Sequence, residues 1–90
     1  MVTTGGLHDI TMYCDTGSRT ASGKWPQPGM VATMSRSIPF GTYVQIEGLG
    51  TFVVEDRIGH GSEYDIFTHS CSEADRFGRQ HRHVMIVDPN

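Results

Sequence analysis

Asp56 and Asp65 are the side chains whose type and setting best suit acid–base chemistry. In the strand-like run 51–56, Phe52, Val54 and Asp56 share one face by period-two geometry, while Val53 and Glu55 point the other way. A carboxylate that continues an apolar face is expected at the rim of the core, where loss of water raises its pKa. Asp65, between Tyr64 and Ile66-Phe67, is expected to be partly buried as well. Two carboxyl groups in such settings, joined by a loop bearing Gly59 and Gly61, can divide the work of acid and base. The plainer reading is a pair of strand-end aspartates bonded to loop amides.

Other side chains offer rival chemistry. His81 and His83 would share a strand face, and His60 or His69 would have to complete a metal site. No second closely spaced ligand pair exists, and histidines exposed beside Arg79 and Arg82 are simpler, so neither metal nor other cofactor is expected. A Cys–His nucleophile finds no local support around Cys71. Cys14 and Cys71 either pair in an oxidising compartment or stay apart as small buried hydrophobes; both readings stay open. Residues 15–29, rich in Gly, Ser, Thr and Pro, read as a loop long enough to have a function. Within it Thr20, Ser22 and Lys24 are candidates for holding sugar hydroxyls or acetamido groups. Trp25 and Tyr13 are candidates for sugar contact, or else ordinary rim aromatics.

These groups must be positioned by a single small domain, residues 1–90. A chain this short buries only roughly 60–65% of its unfolded surface, so the core is thin. A formal charge of -3 supplies no basic face for nucleic acid or anionic lipid. No apolar run approaches the roughly 18 residues of a membrane span, so membrane insertion is not expected either. Eleven glycines favour short strands joined by tight turns. Strands are expected at 7–14, 30–33, 43–47, 51–56, 64–67 and 83–87, with Gly48-Leu49-Gly50 closing a hairpin. Ser70-Cys71-Ser72-Glu73 has capping-box spacing and predicts a helix running through Phe77 to a stop at Gly78. Six short strands and one helix are mainly β, and closure into a small barrel would hide their edges.

The order of several segments adds a resemblance. Thr20-Ala21-Ser22-Gly23, Val31-Ala32, Ile38-Pro39-Phe40-Gly41-Thr42 and Val44-Gln45-Ile46-Glu47-Gly48-Leu49-Gly50 come first. Val54-Glu55-Asp56, Tyr64-Asp65-Ile66-Phe67, and Glu73-Ala74 with Phe77-Gly78 follow. From about Asp9 to Val87 the chain resembles the 3D domain, named for three aspartates, of MltA-type lytic transglycosylases and stationary-phase cell-wall proteins. The resemblance implies a six-stranded double-psi β-barrel with Asp65 as general acid and Asp56 as its close partner. The third family aspartate falls at Met34, and the segment after Asp56 reads Arg57-Ile58-Gly59 where the family has Thr-Gly-Gly.

The implied activity is cleavage of the β-1,4 bond between N-acetylmuramic acid and N-acetylglucosamine, with closure of a 1,6-anhydro ring. The implied partner is the peptidoglycan glycan strand, met by a monomer at the cell wall, in the periplasm or outside the cell. The alternatives are an inverting glycoside hydrolase on the same barrel and an expansin-like module that binds glycan without cutting it. The start, Met-Val-Thr-Thr-Gly-Gly, has neither the basic nor the apolar region of a leader. Export is therefore expected through a leader already removed, or as a phage lysis protein released through a membrane hole.

Overall fold

The structure is a computed structural model that describes residues 2–3, 5–59 and 61–87. The elements in chain order are strands β1 (Val2–Thr3), β2 (His8–Tyr13), β3 (Met30–Thr33), β4 (Tyr43–Ile46), β5 (Gly50–Arg57) and β6 (Tyr64–Phe67), then helix α1 (Cys71–Phe77), then β7 (Gln80–Arg82) and β8 (Val84–Val87). The fold is mainly β with one short helix, as the alternation and the capping box predict. The six expected strands are present within a residue or so, and β1 and β7 are additional. β7 has no apolar face to reveal it; it exists because its backbone pairs with β2.

All eight strands belong to one sheet in the order β1-β8-β4-β5-β3-β6-β2-β7. The two-residue β1 adds only to the edge at β8, and the other seven strands curl into a nearly closed, barrel-like sheet. Connectivity enforces the curl. β7 and β8 lie at opposite ends of that seven-strand array, yet only His83 separates them in the chain. In a flat sheet they would lie six strand spacings apart, roughly 29 Å. The step across His83 reaches only about 7 Å. The sheet therefore has to curl round until its two ends approach each other.

Ile10, Val31, Val44, Val54, Ile66 and Val84 meet in the core. The β4–β5 hairpin turns at Gly48, whose φ is 74°. A Cβ there would stand 2.6 Å from Arg82 Nη1, which donates to the Glu47 carbonyl at 3.1 Å. In α1 the Ser70 hydroxyl accepts the Glu73 N–H at 3.1 Å, and Gly78 ends the helix by donating to the Ala74 carbonyl. Cys14 and Cys71 form a disulfide across Cα atoms 5.0 Å apart, so the end of β2 is tied to the start of α1. Of the two readings of the cysteines, pairing is the one observed.

Candidate active site

Ala32 sets the geometry of the site. It pairs with Asp56 of β5 on one side and with Asp65 of β6 on the other, and Asp65 in turn pairs with Thr11 of β2. Directly paired residues project from the same face of a sheet, so Asp56, Ala32, Asp65 and Thr11 form one row. It is the outer face, because the neighbouring Ile10, Val31, Tyr64 and Ile66 fill the core. The two aspartates are two strand spacings apart, about 9.6 Å between α-carbons. Ala32 stands between them in the row and is itself buried.

This placement corrects the alternation drawn from the sequence. Val54 pairs with Val31 and Asp56 with Ala32, so Glu55 is an extra residue and β5 carries a bulge. An inserted residue resets the two-residue period. Asp56 therefore leaves the face of Val54 and joins Asp65 outside. Glu55, expected on the face opposite Val54, is 3% exposed.

Asp56 Oδ1 accepts the Ala21 N–H at 2.9 Å and the Arg57 N–H at 2.8 Å, so the long loop reaches over the first acid. Asp65 Oδ1 accepts the Thr11 hydroxyl at 2.8 Å. Burial pushes the Asp65 carboxyl above the ordinary carboxylate range; the Thr11 hydrogen bond opposes this, and the charge of Asp56 adds to it. Thr11→Val would remove the opposing contribution. Asp65 should then hold its proton to higher pH, seen as an upward shift of its carboxyl carbon titration by NMR.

Tyr13 lies two residues beyond Thr11 on the same face of β2, its ring edge-on to Phe67 at 5.4 Å. Its hydroxyl is buried and, among the described residues, has no hydrogen-bond partner. Burial first, then the charges of Asp56 and Asp65, hold this phenol far above its ordinary value, which keeps it a donor.

The loop residues lie differently from one another. Thr20 is buried, and its hydroxyl bonds to that of Ser22 at 3.0 Å. Ser22 and Lys24 both engage Glu55. Trp25 is 53% exposed, with the Arg19 guanidinium 4.7 Å from its ring centroid, so one ring face is already covered. Met34, two residues beyond Ala32 and just past the end of β3, is 48% exposed. His81 Nε2 meets Asp9 at 2.7 Å, whereas His83 Nδ1 meets the Gly6 carbonyl, so the two rings do not converge. His69 faces Asp15, and His60 lies outside the described residues. Two surface grooves lie elsewhere, one along Gln45 to Thr51 with His83 and Met85, the other between Pro28, Phe52, Phe67 and Glu73. Neither Asp56 nor Asp65 lines these grooves, and the face that carries them is covered, Ala32 being 3% exposed.

Thr11, Ala32, Glu55 and the Ala21 amide were not among the residues singled out from the sequence. For Thr11 a signal existed, since it shares a strand face with Tyr13; its link to Asp65 depends on the parallel β2–β6 pairing. The fold and the site together define a small barrel-like β domain with a paired-carboxylate face. No family model matches the chain, and no curated protein matches it.

Proposed function

We propose that this chain is a peptidoglycan lytic transglycosylase of the 3D type, its barrel-like sheet a double-psi barrel. The observation that carries the reading is Asp65: a part-buried carboxyl raised by burial and held in one row with Asp56 across Ala32. A carboxyl kept protonated towards neutral pH can act as a general acid.

The steps balance without water. Protonated Asp65 donates to the glycosidic oxygen as the bond from the muramyl C1 breaks, and the departing N-acetylglucosamine keeps that proton on its hydroxyl. Positive charge develops at C1, where the carboxylate of Asp56 stabilises it. The muramyl C6 hydroxyl oxygen then bonds to C1, and its proton passes to the Asp65 carboxylate. The acid is restored and the product carries a 1,6-anhydro ring. The disulfide suits a protein working at the cell wall, outside the reducing cytosol.

Tyr13 fits the same reading. A buried donor without a partner costs about 1–3 kcal/mol, and a substrate oxygen brought against it would satisfy it. Tyr13→Phe should therefore raise stability by about 1 kcal/mol in urea unfolding and lower cleavage about tenfold. Unchanged cleavage would remove Tyr13 from the site.

One observation favours a second reading. Inverting glycoside hydrolases hold their carboxyl groups about 6.5–9.5 Å apart to admit a water, and acids two strands apart allow such a gap. The first test of either reaction is clearance of purified peptidoglycan. Soluble fragments should appear in proportion to protein added. Binding to the insoluble wall with no release of fragments would leave a glycan-binding module.

A further inference from the structure

Glu55 is a carboxylate at 3% exposure, and a charge so placed persists only where partners replace its lost water. Those partners come from one turn of the long loop. Ser22 Oγ donates to Oε2 at 3.0 Å, and Lys24 Nζ stands 3.0 Å from the same oxygen. The Ser22 N–H donates to the Glu55 carbonyl at 3.1 Å. The turn is also tied to itself, Thr20 N–H to the Lys24 carbonyl at 2.8 Å and Gly23 N–H to the Thr20 carbonyl at 2.9 Å. In its middle the Ala21 N–H donates to Asp56 Oδ1 at 2.9 Å. The bulge makes this possible, since the extra residue lets two consecutive carboxylates reach the same turn.

We infer that Glu55 is the positioning residue of this site, pinning the turn of residues 20–24 across Asp56 and so fixing the placement and hydration of the acid pair. The anchoring stands on the contacts alone, while its effect on cleavage rests on the transglycosylase reading. Releasing the turn admits water to the face and frees Asp56 to swing away. Both changes ease the ionisation of Asp65, which then loses its proton at lower pH. The other titratable groups facing Asp65 are Asp56 from β5 and Tyr13 from β2, and neither is altered by the substitutions below.

The test follows the Asp65 carboxyl carbon by NMR titration of the whole chain, beside the pH profile of wall cleavage. In Glu55→Ala the Asp65 titration should move towards the ordinary carboxylate range, and the alkaline limb of cleavage should move down with it. The turnover rate should fall about a hundredfold, the effect of a small misplacement, with little change in KM. Glu55→Gln keeps the shape and an acceptor for Ser22, and should recover most of both. If Glu55→Ala does not fold, Ser22→Ala removes one of its side-chain contacts from the loop side and leaves Lys24 to pair with the carboxylate. An Asp65 titration unchanged in the folded variants would overturn the inference. A shifted titration in a protein that never cuts the wall would sustain the positioning role and reject the transglycosylase.

Discussion

Asp65→Asn is expected to stop wall cleavage while leaving the protein at least as stable near neutral pH. The amide cannot donate a proton as a carboxylic acid does, so the loss should be about a thousandfold, the usual range for removal of a general acid. Its oxygen still accepts from Thr11, so the hydrogen bond at 2.8 Å has a substitute and the row is not disturbed. The stability follows from linkage. The folded protein holds the Asp65 proton more tightly than the unfolded chain does, because burial raises the carboxyl. Asp65 therefore contributes stability that is fully present below the ordinary carboxylate value and is lost as pH rises through the raised one. Asparagine titrates nothing. The difference in Tm should be small in acid and grow in favour of the variant across that window, then level off. A variant that still cuts at the original rate would mean that another group donates the proton.

The second large effect is on stability alone. The disulfide between Cys14 and Cys71 spans 57 positions. Closing such a loop stabilises by about 4 kcal/mol if the gain is mainly the lost entropy of the unfolded chain. For a domain of this size each kcal/mol shifts Tm by about 4–8 °C, so Cys14→Ser with Cys71→Ser should lower Tm by roughly 20 °C. The thin core makes the loss conspicuous, although Thr68 also holds the start of α1 by donating to Glu73 at 2.7 Å. Cys14 also follows Tyr13 directly, so the bridge holds the end of β2 beside the acids. Melting scans in the presence and absence of a dithiol give the same comparison without mutation. A shift of only a few degrees would mean that the unfolded chain is already compact, or that the bridge does not form in solution.

The elements readable from the sequence are those whose residues announce themselves locally. Ser70 and Glu73 mark the helix start, Gly78 its end, and Gly48-Leu49-Gly50 the hairpin. Alternation through Ile10 and Met12 marks one face of β2, and the short apolar run from Tyr64 to Phe67 marks β6 as a strand. What the residues could not reveal depends on pairing between distant strands. The bulge at Glu55 has no local signature, because Val53-Val54-Glu55-Asp56 alternates acceptably until Val54 and Asp56 are seen to pair with adjacent residues of β3. That single insertion decides which acid is buried and which faces Asp65. β7 was missed for a related reason, since Gln80-His81-Arg82 has no apolar pattern and is a strand only because β2 offers it an edge. Asp65 and Asp56 were identified as the candidate acids from their settings, but Ala32 and Thr11 join them only through strand register.

The most direct test is to digest purified peptidoglycan in water enriched in heavy oxygen and weigh the soluble fragments by mass spectrometry. Transglycosylation by Asp65 predicts muramyl ends lighter by one water than a reducing end, with no heavy oxygen taken up at the cut. Full-mass reducing ends carrying the heavy label would contradict it and assign the carboxylate pair to hydrolysis.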